Sequence, residues 1–180
     1  MDLCEIHSQG LEMLFYDYDQ EMIPGEAGEM FRLQDVVQLA EQTANACMLA
    51  EFEIRVYENP DMTREDMNKL YCNLAREYGK AVSEDMQELY SWVDIPHLFM
   101  QPCYYLGYGT SAFTSLDLFA MAGEDREAAV DKYLELTTVS SETPYCEAVQ
   151  KVGLRDIFEK GVPGEILKEV TGRLKKDYEQ

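Results

Sequence analysis

The chain has 180 residues, 35 of them acidic and 15 basic, for a formal charge of −20 at pH 7 spread along its length. That length suffices for one domain with a real core, and a charge of that sign and size excludes nucleic acid and anionic membrane as partners. Cys4, Cys47, Cys72, Cys103 and Cys146, odd in number and without a C-x-x-C pair, fit reduced thiols in a cytoplasm rather than a disulfide framework.

Residues 3–16 read as an amphipathic helix. Leu3, Ile6, Met13 and Leu14 give it apolar bulk, while Glu5, Ser8, Gln9 and Glu12 fall on one polar stripe. Such a stripe is either solvated surface or the way a helix presents a metal ligand with a second carboxylate behind it, and periodicity does not choose between them. Gly10 costs about 1 kcal/mol relative to alanine in a helix, which weakens the helix or marks a close packing contact. The opening Met-Asp-Leu-Cys-Glu has no basic region ahead of an apolar run, and no segment reaches the ~18 uninterrupted apolar residues of a membrane span, so a cytoplasmic protein is expected.

After Ile23-Pro24-Gly25, residues 28–57 form one long helix, apolar on most sides through its middle and therefore a buried central element; it ends at Glu58-Asn59-Pro60. Thr63 with Asp66 three residues on is a capping-box pattern opening the next helix, whose inner face is Leu70, Leu74 and Tyr78 and whose stop is Gly79. Ser83 caps a shorter helix leading into Ser91–Ala112. There Pro96 bends the chain before His97, Pro102 can open a helix, and Tyr104, Tyr105 and Tyr108 follow within a turn. Tyr108 lines up with Tyr104 or Tyr105, placing phenol hydroxyls and an imidazole around one point, as a developing oxyanion requires. The same spacing also suits core tyrosines with satisfied hydroxyls.

Ala112, Phe113, Leu116, Phe119 and Ala120 continue that helix to Gly123 as a second buried rod. Further helices are expected over 124–136, over 144–152 with Thr143 as N-cap, Pro144 at the first helical position and Gly153 as stop, and over 165–178. No strand-like alternation occurs. The expected class is all-α, one helical domain over residues 1–180.

Several stretches together resemble one family. Residues 2–12 (Asp-Leu-Cys-Glu-Ile-His-Ser-Gln-Gly-Leu-Glu), residues 51–63 (Glu-Phe-Glu-Ile-Arg-Val-Tyr-Glu-Asn-Pro-Asp-Met-Thr), Ile-Pro-His-Leu-Phe, Pro-Cys-Tyr-Tyr-Leu-Gly-Tyr and Tyr145 to Gly161 are similar, in this order, to the oligoendopeptidase F branch of the thimet-oligopeptidase-like zinc metallopeptidases. The resemblance implies a multi-helical zincin-like peptidase acting on short peptides. Its zinc is held by two histidines of an H-E-x-x-H helix and a glutamate from a following helix. Glu5 matches that third ligand, and Glu12 matches an acidic residue that orients a zinc histidine. His97, Tyr105 and Tyr108 match catalytic groups that contact substrate and stabilise the oxyanion, with Tyr104 as a further substrate contact; which of Tyr104 and Tyr105 faces the zinc is left open by one residue.

The departures matter as much. The only histidines are His7 and His97, and no H-E-x-x-H occurs in these 180 residues. Ala50 and Ile54 stand where more polar residues are expected, and Gly10 where a larger one is. The chain is therefore expected to be the C-terminal part of the catalytic domain, inactive alone and binding no zinc tightly by itself; it is either a truncated product or one half of a split enzyme whose complementary chain carries the metal helix. An apolar patch around Phe15, Tyr16, Phe99 and Tyr105 is expected to drive homo-oligomerisation. Two other readings are a non-catalytic peptide- or protein-binding module on the same scaffold, and an independent metal site of Glu5, Glu12 and His97.

Overall fold

A computed structural model describes residues 3–85 and 90–178, leaving aside the side chain of Gln20. Among these residues the secondary structure is entirely helical. In chain order it comprises α1 (Ile6–Phe15), α2 (Asp19–Met22), α3 (Glu26–Glu58), α4 (Arg64–Glu77), a 3₁₀ turn (Ser91–Asp94), α5 (His97–Met100), α6 (Tyr104–Glu124), α7 (Arg126–Thr137), α8 (Tyr145–Lys151) and α9 (Val162–Tyr178). Glu84 and Asp85 are helical, and the rest of the helix expected after Ser83 lies outside the described residues.

The local stop and start signals act as their chemistry dictates. Thr63 Oγ1 accepts from the Asp66 N–H at 3.2 Å and donates to the Asp66 carboxylate at 2.6 Å, so the cap is closed from both sides. At the other end of α4, Gly79 adopts φ +75°, its N–H bonds the Arg76 carbonyl, and the Lys80 N–H bonds the Ala75 carbonyl. This is the Schellman pattern, and Gly153 at φ +71° repeats it after α8 with bonds to Gln150 and Val149. Two starts differ from expectation. The N-cap of α8 is Pro144 itself, in extended conformation at ψ 148°, not Thr143. Pro102 does not open α6; the helix begins at Tyr104 after Cys103, which is left-handed at φ +64°.

The most thoroughly enclosed element is α6 rather than α3. From Gly109 to Ala120 nearly every residue of α6 is buried, because α1, α3, α7 and α9 all pack around it. Three of its buried hydroxyls bond within the helix, Thr110 to the Gly107 carbonyl, Thr114 to that of Thr110 and Ser115 to that of Ser111. The long helix α3 is buried mainly between Thr43 and Glu53, while Met30, Phe31, Val37 and Ile54 are exposed.

α3 and α6 run antiparallel at close range. Gly109 permits the approach, since a Cβ there would lie 3.2 Å from the Ala46 Cβ. Gly10 marks a similar contact on α1: an added Cβ would sit 3.3 Å from both Leu118 and the Tyr133 ring. The glycine in the first helix thus marks a close packing contact, and a larger residue there would have to push the Leu118 and Tyr133 side chains aside. One core cluster joins Met13, Tyr16, Val36, Leu39, Leu116, Phe119, Ile166 and Val170. Another, toward the start of α6, joins Leu49, Phe52, Tyr71, Leu74, Trp92 and Leu98, with Tyr105 packed against it.

Candidate functional site

The start of α6 meets the start of α1. The Tyr104 hydroxyl donates to Glu5 Oε1 at 3.1 Å, and Ser8 donates to the other carboxylate oxygen at 3.4 Å. Burial first, then the bond to Glu5 and its charge, push the Tyr104 phenol up to about 12, so it stays a proton donor through the physiological range. Tyr105 is also raised, by burial first.

His97, the first residue of α5, sits among three phenol rings. Its imidazole stacks on Tyr104 with centroids 5.7 Å apart and meets Tyr105 and Tyr108 edge-on at 5.5 and 5.8 Å. Tyr108 in turn contacts Tyr104 at 5.0 Å and Tyr105 at 5.5 Å. Both residues left open by spacing touch Tyr108 and His97; Tyr104 bonds the Glu5 carboxylate, and Tyr105 also packs against the Phe52–Trp92 core. A carboxylate, an imidazole and two phenols on a partly exposed surface can bind and polarise a carbonyl group.

Other expected residues lie apart from this point. Glu12 is exposed, and its charge adds to the burial that raises Asp35. The side chain of His7 is exposed while its carbonyl accepts from Tyr133 at 2.7 Å, away from the cluster. Tyr16 belongs to the interior, not to an exposed patch: it is buried against Phe119 and its hydroxyl donates to Asp177 at 3.1 Å. Phe15 and Phe99 are exposed as expected, and Val93, Met100 and Leu106 extend the apolar surface of the segment around His97.

Two features escaped the sequence reading. Gln9, on the polar stripe of α1, is buried with its Oε1 unpartnered. Glu53 is 4% exposed and accepts from the Cys103 N–H at 2.9 Å. The available signal was its position, three and seven residues beyond Ala50 and Ala46 on the stripe of α3 that faces α6.

A catalytic zinc takes three protein ligands and a water. Among the described residues no group of three histidine, cysteine, aspartate or glutamate side chains can hold a metal ion. Glu5 has suitable chemistry, but the residues present do not make a zinc site by themselves, and a Glu5–Glu12–His97 centre is not assembled.

The buried carboxylates fix a pH dependence of stability. Asp19, Asp35 and Glu53 are all raised, chiefly by burial. Each binds its proton more tightly folded than unfolded, so its contribution is complete below the ordinary values of 3.8 and 4.5 and is lost as pH rises through the higher folded values. Glu65 and Asp66 are lowered and act in the opposite sense, but both are fully exposed. Melting temperature is therefore expected to rise as pH is lowered from 7 toward the ordinary carboxylate range, with a shallower slope in Glu53→Gln. A melting temperature that falls throughout that range would contradict this assignment.

No family model matches the sequence, and no curated protein matches it. Among solved structures, an oligoendopeptidase F crystal structure superposes with a TM-score of 0.86 at 24% identity, over 97% of this chain and 31% of that one. The chain has the fold of a part of oligoendopeptidase F. PZ peptidase A, solved with an inhibitor, matches with a TM-score of 0.83 at 22% identity over 98% of this chain and 32% of its own. An oligoendopeptidase F from Bacillus anthracis gives 0.76 at 20% over 97% and 28%. The chain spans about a third of the length of these structures. No helix among the described residues is long and apolar enough to cross a membrane.

Proposed function

We propose that this chain supplies the carboxylate-and-tyrosine portion of an oligoendopeptidase-like zinc peptidase site that hydrolyses short peptides, and that it is inactive alone. Glu5 is the carboxylate offered to the metal, with Glu12 orienting a metal-bound histidine supplied from outside these residues. Tyr108 and His97 face the substrate carbonyl and donate to the oxyanion as it develops, while Tyr104, its proton on Glu5, holds that carboxylate and contacts the substrate beside it. The observation that carries this reading is the Tyr104 hydroxyl on Glu5, beside His97 and Tyr108, on this fold. The second reading, a peptide-binding module without catalysis, draws on the exposed apolar surface of Val93, Phe99 and Met100 around the same cluster.

The test uses internally quenched peptides with added zinc, with and without chelator. The chain alone is expected to give no turnover. Mixing it with a separately expressed chain bearing the H-E-x-x-H helix of oligoendopeptidase F is expected to give chelator-sensitive turnover. Tyr108→Phe should then reduce kcat by about 10²–10³-fold, the usual effect of removing one oxyanion donor. Peptide binding without turnover in the mixture would favour the module, and chelator-sensitive turnover by the chain alone would overturn the half-site reading.

A further inference from the structure

The tyrosine cluster depends on a turn that ought not to form unaided. Cys103 sits at φ +64°, ψ 9°, in the left-handed region that non-glycine residues avoid at a cost of roughly 1–2 kcal/mol. The connection from α5 to α6 is only Gln101, Pro102 and Cys103, so whatever fixes Cys103 fixes where α6 starts. With the start fixed, the rotation of its first turn follows, and Tyr104, Tyr105 and Tyr108 all lie on that turn or the next.

One side chain holds this residue. Glu53 Oε1 accepts from the Cys103 N–H at 2.9 Å, and its other oxygen, Oε2, is buried without a partner. The placement follows from the antiparallel register already set by Ala46 on Gly109: seven residues along α3 from Ala46 is Glu53, and six residues back along α6 from Gly109 is Cys103. A carboxylate 4% exposed on an otherwise apolar and small-residue stripe is costly to keep. Among the described residues its one bonded contact is to the strained turn. Tyr57 and Tyr105 are the titratable side chains that sense its charge, which places it directly behind the cluster.

We infer that Glu53 is a positioning residue for the tyrosine cluster: by capturing the Cys103 N–H it holds the left-handed turn from which α6 starts, and so sets Tyr104 against Glu5 and Tyr108 against His97. Only the functional weight of the cluster rests on the peptidase reading. The placement is tested without catalysis, so failure of one is distinguishable from failure of the other.

The test is heteronuclear NMR on the whole chain with labelled backbone and tyrosine Cζ carbons. In the natural chain the Cys103 amide proton is expected to shift with pH as Glu53 titrates, and in Glu53→Gln that dependence is expected to vanish. The glutamine oxygen still accepts, so exchange at residues 103 and 104 and the Tyr104 Cζ shift should stay as they were. Glu53→Ala is expected to speed exchange at these amides by about tenfold, the scale set by releasing one left-handed residue, and to move the Tyr104 Cζ shift. Adding Cys103→Gly to Glu53→Ala should restore the Tyr104 Cζ shift and slow exchange at residue 104, because glycine adopts positive φ without strain, while the amide at 103, still without its acceptor, stays fast. Unchanged exchange and an unchanged Tyr104 shift in Glu53→Ala would overturn the inference. If that variant does not fold, the natural chain decides: a Cys103 amide indifferent to pH, or one whose titration survives in Glu53→Gln, overturns it equally.

Discussion

Arg155→Met is expected to destabilise the fold by about 3–5 kcal/mol, because it strands a buried carboxylate. Asp117, on α6, is 1% exposed and receives three bonds from Arg155: from Nε at 2.8 Å, from Nη2 at 2.5 Å and from its backbone N–H at 3.2 Å. The guanidinium also reaches Glu169 on α9, at 2.6 and 3.1 Å, so one side chain ties the segment after α8 to two helices. Methionine matches the stem of arginine in bulk but leaves Asp117 with a backbone donor only. The reverse deletion, Asp117→Asn, should cost less. Asparagine can still accept from the backbone N–H, and Arg155, at 30% side-chain exposure, keeps Glu169 and some contact with water. The stranded Asp117 of the methionine variant will bind a proton more readily folded than unfolded, so the deficit should shrink as pH is lowered. Urea unfolding of the two variants at pH 5 and 7 measures both the asymmetry and its pH trend. Equal, small losses within about 0.5 kcal/mol would mean that the pair is not coupled to folding.

What could be read from the sequence is what short-range chemistry determines. The capping pair Thr63–Asp66 and the stops at Gly79 and Gly153 involve residues at most a turn apart, and all formed as their spacing requires. The tyrosine cluster was visible for the same reason, since Tyr104, Tyr105 and Tyr108 belong to one helix face and its flank. Its link to Glu5 was not, because the two residues are 99 positions apart and only resemblance joined them. The start of α6 was misread at Pro102 because the deciding partner, Glu53, is 50 residues earlier and looked like one more charge on a long helix. Tyr16 was placed on an exposed patch because nothing near it in sequence reveals α9, whose Arg173 and Asp177 enclose its ring and hydroxyl. The half of α3 before Thr43 looked buried on most sides because its apolar residues are numerous; only one stripe, Val36 and Leu39, packs into the core, and Met30, Phe31 and Val37 face outward.

Phe119→Ala is expected to cost about 3–5 kcal/mol and to leave the tyrosine cluster in place. The ring is fully buried where α1, α3, α6 and α9 converge, against Met13, Val36, Ile166 and Val170. It meets Tyr16 edge-on with centroids 4.8 Å apart and an interplanar angle of 86°, the arrangement aromatic quadrupoles favour. Arg173 lies over its face at 4.2 Å and over Tyr16 at 4.9 Å. The same guanidinium bonds the Phe119 carbonyl at 2.5 Å and Asp17 at 2.6 Å, and its stem runs so close to Gly123 that a Cβ there would come within 2.7 Å. Truncation to alanine removes the surface on which this charge rests and opens a cavity that four packed helices can only partly close. Phe119→Leu keeps most of the volume and should cost less than about 1.5 kcal/mol. Fifteen residues separate Phe119 from Tyr104 along α6, about 22 Å at ~1.5 Å per residue. The Tyr104–Glu5 contact, monitored by the Tyr104 Cζ shift under native conditions, should therefore be unaffected while the urea midpoint falls. If the shift moves with the midpoint, α6 does not separate its anchoring end from its chemical end, and substitutions at either end would have to be read as acting on both.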